Sequence, residues 1–218
     1  EGLRGGAVAG RRAPRSSGLM LPARALGAAL QRLDGNPYAR TLCRAVDAAT
    51  LYRFQNGGHD QPRPLYSLGP AKNGARFTPR GGAPALYVAE DEQTALHEYR
   101  QVGHPAPLEP IAGAGALVLF NVEVRLASVL DVTNAEIQGA LATSKEELAS
   151  PWRYRRAGGV PPTQVLGRAV AQSKRFDAIR FKSTKGPGAC LAILTERIVK
   201  PAYVRIRDSK NRLVEELP

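Results

Sequence analysis

The sequence predicts an α+β protein whose β-sheet is mostly antiparallel. Helical and strand-like segments are intermixed along the chain but do not alternate regularly, which argues against a doubly wound parallel sheet. An amphipathic helix is predicted over Gln164–Phe176, and three short strands separated by turns follow it. These strands are Ala178–Lys182, Ala189–Leu194 and Ala202–Arg207. The sequence contains no internal repeat, so one sheet-based core with flanking helices is expected.

The first predicted element is a helix that begins near Leu21. Its apolar residues recur at helical spacing, and the turn-forming residues 34–37 end it. They are Leu21, Leu26, Ala29, Leu30 and Leu33. A second short helix is predicted over Tyr38–Ala48. Residues 21–48 are therefore expected to form an N-terminal helical extension.

The chain then takes on strand-like character. Thr50–Phe54 and Ala85–Ala89 are short runs of apolar and aromatic residues, which predicts two strands. A helix follows the second strand, with Asp91 as its predicted N-cap and Thr94 three residues on. Acidic residues in this first turn suit the positive end of the helix dipole.

The middle of the chain adds one long strand and two short helices. The strand is predicted at Leu117–Leu126, and the helices are predicted at Asn134–Ala142 and Glu146–Ala149. Residues 149–162 are expected to form a loop.

Length and charge limit the classes of protein to consider. The chain has 218 residues, with 31 basic side chains against 19 acidic ones and a formal net charge of +12. Such an excess suits nucleic acid, an anionic membrane surface, a phosphorylated small molecule or an acidic protein, and it does not choose among them. No apolar run approaches the roughly 20 residues that span a bilayer. Cys43 and Cys190 lie too far apart for a disulfide scaffold or a paired-cysteine zinc site, which fits a reducing, cytoplasmic compartment.

One domain with an extension is the organisation expected at this length. Residues 1–20 are rich in Gly, Ala, Arg and Ser, and we expect them to form a flexible arm or to be an upstream remnant. They lack the continuous apolar stretch of a secretory signal.

Glu98 is the first candidate for chemistry, since the common nucleotide-binding, metalloprotease and serine-hydrolase motifs are absent. At about 100° per residue, it falls on the shoulder of the buried arc of the helix that follows Asp91, whereas His97 faces solvent. The predicted arc comprises Ala95, Leu96, Tyr99 and Val102. A carboxylate in this position is either functional or paired with a core arginine, because an unpaired buried charge is costly.

Two arginines and one loop are candidates for anion binding. Arg53 lies in a strand-like segment beside aromatic residues, and Arg76 lies in the glycine-containing turn 74–79. A guanidinium in such a place suits a diphosphate or a carboxylate, although an arginine at a strand edge with its head in water is the commoner case. Residues 181–188 combine hydroxyl groups, ammonium groups and glycines, which suits either an anion site or an ordinary hairpin turn.

Eight short blocks, in order along the chain, resemble the RES-domain family, which is named for an arginine, a glutamate and a serine. Each block alone is weak evidence for the family, but the occurrence of all the blocks in the family's order is specific. They are Leu51–Phe54, Gly74–Gly82, Ala85–Ala89, Thr94–Glu98, Val129–Thr133, Thr163–Ala169 and Asp177–Ser183, followed by Ala192–Leu194. Arg76 and Tyr87 are 11 positions apart, as are Tyr87 and Glu98. The resemblance covers residues 48–199, and residues 49–218 are accordingly expected to form the RES catalytic domain.

The resemblance implies an ADP-ribosyltransferase-like fold, in which a split, mostly antiparallel sheet with flanking helices holds NAD in a cleft. It also implies a toxin of a bacterial toxin–antitoxin system. The implied enzyme uses NAD as its substrate, without a metal, and cleaves the bond between nicotinamide and ribose. The ADP-ribose would pass to a host protein, to phosphate or to water, and growth would stop until an antitoxin neutralises the toxin.

The resemblance also assigns roles to single residues. The implied catalytic residues are Glu98, Arg53 and Ser183, and the implied NAD-binding residues are Arg53, Tyr52, Arg76, Tyr87 and Ser183. Glu98 would stabilise the oxocarbenium-like ribose that forms as nicotinamide departs. The two arginines would hold the diphosphate, and the two tyrosines would stack on or bond to the nicotinamide ribose. Ser183 would form a hydrogen bond near the nicotinamide or a phosphate.

The implied partners are an acidic helix-turn-helix antitoxin, which blocks the cleft with an inserted segment, and a host protein that receives ADP-ribose. Nucleic acid would be met only through the antitoxin, and no membrane partner is expected. Two other classes stay open, a basic nucleic-acid-binding module and a catalytically inactive interaction domain. The nucleic-acid module is disfavoured because aromatic residues, which stack on bases, make up only 6% of the chain and the basic residues are not clustered.

Overall fold

The structure is a computed structural model that describes residues 20–48, 51, 63–103, 117–153 and 159–218, with residues 101–103 described by their backbone alone. Residues 1–19 of the expected arm lie outside this range. So does the predicted strand Thr50–Phe54 apart from Leu51, and with it the candidate site residues Tyr52 and Arg53. Leu51 is helical, so the strand prediction is wrong at the one residue of it that the structure describes.

The described residues form six α-helices and seven strands. The helices are α1 (Ala23–Arg32), α2 (Leu68–Asn73), α3 (Glu92–Gly103), α4 (Ala135–Ala140), α5 (Lys145–Ala149) and α6 (Pro162–Ser173). The strands are β1 (Asn36–Asp47), β2 (Ala85–Ala89), β3 (Leu117–Asp131), β4 (Ala178–Lys182), β5 (Ala189–Leu194), β6 (Tyr203–Arg207) and β7 (Leu213–Leu217). None of the helices in this part of the chain is long and apolar enough to cross a membrane.

All seven strands belong to one sheet in the order β1-β2-β5-β4-β3-β6-β7, and β1 also pairs with β3. Every pairing is antiparallel except β3–β4, which is parallel. Strand β3 is the branch point, because β1 runs along one of its edges while β6 and β4 share the other edge at different heights. The sheet therefore splits into a β4-β5-β2 branch and a β6-β7 branch. The predicted α+β class with a split, mostly antiparallel sheet is confirmed.

The two faces of the sheet bury separate apolar clusters, because successive strand residues point to opposite faces. One cluster, here called the helix-side core, joins Ile179 and Phe181 of β4 to Leu30 of α1 and Leu166 of α6. The other, here called the opposite core, contains residues of β6 together with Ala178 and Leu191. Side chains on β4 thus alternate between the two cores, which fixes the face on which each residue of this strand lies.

Several predicted elements are confirmed at their predicted bounds. These are Ala85–Ala89, Ala178–Lys182 and Ala189–Leu194. The helix after Asp91, the two short helices before residue 150 and the amphipathic helix before β4 are also present. The long strand reaches Asp131, beyond its predicted end, and β7 has no counterpart in the prediction.

The helix predicted over Tyr38–Ala48 is wrong. Residues 36–47 form β1, which pairs with β3 along almost its whole length. Leu42 and Cys43 are adjacent and belong to opposite cores, as expected in a strand. The alanine, leucine and arginine content of this segment favours a helix locally, but pairing with a distant strand overrides that propensity. The N-terminal extension is therefore helical only at α1.

Candidate active site

The first turn of α3 is fixed by Asp91. Its Oδ1 accepts a hydrogen bond from the Thr94 amide at 2.7 Å, and its Oδ2 accepts one from the Thr94 hydroxyl at 2.8 Å. This confirms the predicted N-cap, in which a side-chain oxygen satisfies a free amide of the first turn. Glu98 follows about two helical turns later, so the cap determines where its carboxylate lies.

The loop 183–188 connects β4 to β5 and folds over the start of α3. The Gly188 amide donates to the Thr94 hydroxyl at 2.8 Å. A side chain at position 188 would collide with the Asp91 carboxylate, so only glycine allows this close approach. The segment is thus a hairpin loop, and it is held in place by the helix that carries Glu98.

Ser183 is hydrogen bonded to Glu98. Its hydroxyl donates to Oε1 of Glu98 at 2.6 Å and accepts the amides of Lys185 at 3.0 Å and Gly186 at 2.8 Å. Ser183 is only 6% exposed, and a short bond from a buried hydroxyl to a carboxylate belongs to the stronger, charge-assisted class. Because two amides fix the hydroxyl, they also fix the direction of the carboxylate.

Glu98 has no arginine or lysine within ion-pair distance in the described part of the chain. The alternative of a core salt bridge is therefore not found there. Its second oxygen, Oε2, accepts no hydrogen bond from these residues.

Arg76 lies near Glu98 and contacts the end of α5. Its Nη1 donates to the carbonyl oxygens of Leu148 at 2.8 Å and Ser150 at 3.1 Å, and its Nη2 donates to the Thr184 hydroxyl at 3.0 Å. Burial lowers the pKa of Arg76, and the negative charge of Glu98 opposes that effect. These bonds use three of the five guanidinium donors, which orients the group, and the other two donors have no hydrogen-bond partner among the described residues.

Tyr87 supports the turn that carries Arg76. Its hydroxyl accepts the Phe77 amide at 3.0 Å and lies 3.0 Å from the Thr78 hydroxyl. Burial raises the pKa of Tyr87 to about 12, whereas the bonds to Thr78 and Phe77 lower it. The phenol is therefore neutral at physiological pH, and its oxygen is engaged with the protein.

Cys190 lies beneath the site on β5 and is buried. Burial is the main cause that raises the pKa of its thiol, and the charge of Glu98 raises it further. A thiol is nucleophilic only as the thiolate, so burial at this position disfavours the reactive form of the cysteine.

His97 lies on the outer side of α3 beside the 183–188 loop. It is partly buried, and its Nδ1 lies 3.1 Å from the carbonyl oxygen of Lys185 in a solvent-exposed contact. The helical-wheel argument does not include this contact, because the loop comes from a distant part of the chain.

A cavity of about 390 Å³ lies away from these residues, between α6 and the 77–83 segment. Its lining includes Arg80 and Arg168 but none of Arg76, Tyr87, Glu98 and Ser183, the predicted site residues within the described ranges. The predicted site residues that the structure describes instead form hydrogen bonds with one another or with nearby groups.

The structure brings Arg76, Glu98 and Ser183 together on the helix side of the sheet, with Tyr87 behind the Arg76 turn. Tyr52 and Arg53 lie outside the described residues. Two threonines also contact this group of residues, Thr94 at the start of α3 and Thr184 within the 181–188 loop. The capping pattern at Asp91 was a signal for Thr94, whereas nothing in the sequence connected Thr184 to Arg76.

An arginine, a glutamate and a serine that meet on one face of a split sheet are the three residue types for which the RES family is named. The chain belongs to this family, because the RES domain matches residues 50–214.

One solved structure with a similar fold is the crystal structure of the M. tuberculosis MbcT–MbcA toxin–antitoxin complex. The TM-score is 0.64 and the sequence identity is 18%, over 84% of this chain and 90% of that chain. At this identity the likeness concerns the fold. Comparison with curated protein sequences finds no significant match.

Proposed function

We propose that the chain is the toxin of a toxin–antitoxin pair and that it cleaves the nicotinamide–ribose bond of NAD. The observation that carries the proposal is the 2.6 Å bond between Ser183 and Glu98, because it orients one carboxylate edge beside the positively charged Arg76. Membership of the RES family and the shared fold with a structure of a toxin–antitoxin complex support it.

The proposed reaction breaks the bond between ribose C1′ and the pyridinium nitrogen of NAD. The bonding electrons move to that nitrogen and neutralise the nicotinamide, while the ribose acquires oxocarbenium character. A carboxylate next to such a ring stabilises the positive charge and can hold a ribose hydroxyl, which is the role proposed for Glu98. The acceptor, a host protein side chain, phosphate or water, then bonds to C1′, and any proton it releases goes to solvent.

The other site residues bind and orient the substrate in this proposal. The two donors of Arg76 that bond to no residue in the described ranges suit the dianionic diphosphate, as a guanidinium binds phosphate oxygens with geometric specificity. Arg53 and Tyr52 keep the roles that the family resemblance gives them. Tyr87 acts through the Arg76 turn, to which its hydroxyl is bonded, and its ring is the part that could meet the nicotinamide ribose.

The proposed partner is an acidic helix-turn-helix antitoxin. The net charge of +12 is complementary to an acidic protein and favours its fast association. A cytoplasmic location follows from the same proposal, because both NAD and the expected host target are found there.

The first prediction concerns nicotinamide release. Purified protein incubated with NAD should release nicotinamide, and Glu98→Gln should lower kcat at least about 100-fold, because the amide keeps the bond to Ser183 but loses the negative charge. Nicotinamide is measured by chromatography, and mass spectrometry identifies the ADP-ribose product with phosphate or host lysate present. Glu92→Gln, an exposed change on the same helix, is the matched control and should retain activity.

The same variants are compared in cells. Glu98→Ala and Arg53→Ala should abolish growth inhibition while the protein stays folded and well expressed. Full toxicity of either variant would contradict its assigned role. If the wild-type protein releases no nicotinamide with any acceptor, the enzymatic proposal fails.

A further inference from the structure

Arg180 is the centre of a polar network on the sheet face opposite Glu98. Its Nε and Nη2 donate to the two carboxylate oxygens of Glu90 at 2.7 and 3.0 Å. Its Nη1 donates to Oδ2 of Asp131 and to the Thr133 hydroxyl, both at 2.9 Å. The Tyr38 hydroxyl of β1 also donates at 2.7 Å to Oε1 of Glu90, the oxygen that accepts from Nε of Arg180. Four of the five guanidinium donors are therefore bound, and the geometry at Glu90 is the two-bond fork that arginine forms with carboxylates.

The network joins the two elements that carry the proposed site. Arg180 lies on β4, three residues before Ser183, and it projects away from the helix-side core because its neighbours Ile179 and Phe181 belong to that core. Glu90 lies between the end of β2 and the start of α3, directly before the cap residue Asp91. The arginine thus spans β5 and connects β4 to the beginning of the helix that bears Glu98.

A hydrogen-bonded path leads from this network to the site. The Glu90 amide donates to the Ala189 carbonyl at 2.9 Å, at the start of β5. Next to it, Asp91 binds Thr94, and the Thr94 hydroxyl accepts the Gly188 amide. The loop that begins at Ser183 is therefore bonded to α3 on one face of the sheet. On the other face, Arg180 binds Glu90, directly before the start of α3.

We propose that Arg180 is a positioning residue for the Ser183–Glu98 pair. It acts by locking the β2–α3 junction to β4, so that the loop 183–188 and α3 keep the spacing that places the serine hydroxyl on the carboxylate. The effect of Arg180 on the positions of Ser183 and Glu98 does not depend on the proposed function, whereas its effect on catalysis rests on that function.

Hydrogen exchange followed by NMR tests the geometric part without any activity. Arg180→Met removes four hydrogen bonds from this network and leaves Glu90 with only the longer, 3.9 Å ion pair to the exposed Arg40, so the junction should move. The amides of Gly186 and Gly188, which donate to Ser183 and Thr94, should exchange roughly 2- to 30-fold faster. The matched control is Arg205→Met, which removes a 2.7 Å arginine–carboxylate contact with Glu123 on the other branch of the sheet and should leave both amides unchanged.

Tyr38→Phe is the milder variant in case Arg180→Met does not fold. It removes a single hydroxyl from Glu90 and should accelerate the same two amides by a smaller factor. Unchanged exchange at Gly186 and Gly188 in the folded variants would overturn the proposal. An equal increase at amides throughout the sheet would also overturn it, since a merely stabilising residue has that effect.

Nicotinamide release tests the catalytic consequence. In Arg180→Met, kcat should fall about tenfold or more while KM changes less than about threefold, because the misplaced groups act on the transition state. Arg180→Lys should recover only part of the loss, because an ammonium cannot form the fork.

If the wild-type protein releases no nicotinamide but the two amides still respond, the proposed function fails and the positioning role stands. If the wild type is active and the variant keeps its full kcat, the positioning role in catalysis is wrong.

Discussion

The hydroxyl of Tyr87 holds the turn that carries Arg76. It accepts the amide of Phe77, a residue only 4% exposed, and it also bonds to the Thr78 hydroxyl. Tyr87→Phe should therefore lower the free energy of unfolding by about 1–2 kcal/mol, because a backbone amide in a buried turn loses its partner.

Urea denaturation measures this loss. Tyr203→Phe is the control, because the Tyr203 hydroxyl has no hydrogen bond within the described ranges and its ring contacts are kept. The control should change stability by less than about 0.5 kcal/mol. Equal stability of the two variants would show that the Tyr87 hydroxyl does not hold the turn.

Single residues also show which contacts of the site can be predicted from the sequence. The helical wheel placed Glu98 on an inner shoulder, and the structure agrees, since its carboxylate meets Ser183. The two residues are 85 positions apart, and no local pattern encodes that contact. The family resemblance alone related them before the fold was known. Arg180 is predicted only as part of a strand and of the family block Asp177–Ser183, and its contact with Glu90 is not predicted, because the two residues are 90 positions apart.

Among the elements, α6 supports the Arg76 turn by direct contact. Leu166 and Val170 are fully buried, and the Gln164 amide group donates to the Ala75 carbonyl at 2.9 Å. Gly167 lies against the backbone of Phe77, and a side chain there would collide with the Phe77 carbonyl oxygen. The helix and the turn therefore approach as closely as backbone atoms allow.

Gly167→Ala should destabilise the protein by about 1–3 kcal/mol, because the added methyl group forces α6 away from the turn. Alanine has a helix propensity better by about 1 kcal/mol, so helix formation alone predicts the opposite sign. Gly139→Ala in α4 is the matched control, since nothing lies within 4 Å of the new methyl group there, and it should be neutral or stabilising. Thermal or urea unfolding measures both, and a stabilised Gly167→Ala would contradict the close contact.

The strand β1 shows why some elements escape prediction. Its residues were assigned to a helix from local composition, yet its ladder with β3 joins positions that lie about 80 residues apart in the chain. The short strands β2, β4 and β5 were predicted at their bounds because apolar runs and flanking turns mark them locally. Strands marked by a local sequence pattern were thus predicted correctly, whereas β1, which depends on pairing with a distant strand, was not.

At the scale of the whole molecule, ion pairs join elements that are distant in sequence. Arg180 connects β4 to the start of α3, Arg205 on β6 contacts Glu123 on β3, and Arg63 contacts Glu215 on β7. The sequence revealed the charge excess of +12 but not that carboxylates sit at these junctions. Because basic residues outnumber acidic ones, each carboxylate that is protonated removes an attraction and increases the self-repulsion of the chain.

Acid should therefore weaken the fold, with Glu90 as one identifiable contributor. The hydrogen bonds from Arg180 are the main cause that lowers the pKa of Glu90, and burial opposes them. Since the folded carboxylate binds a proton less readily than the unfolded one, its stabilising contribution is complete above the ordinary glutamate pKa of about 4.3 and is lost as the pH falls through the lower, folded value.

Urea unfolding at pH 7 and at successively lower pH should show a decreasing free energy of unfolding. Glu90→Gln should be less stable at pH 7 and should lose less on acidification, whereas Glu196→Gln, an exposed change, should follow the wild-type curve. Parallel curves for Glu90→Gln and the wild type would show that this network does not contribute to the acid sensitivity of the fold.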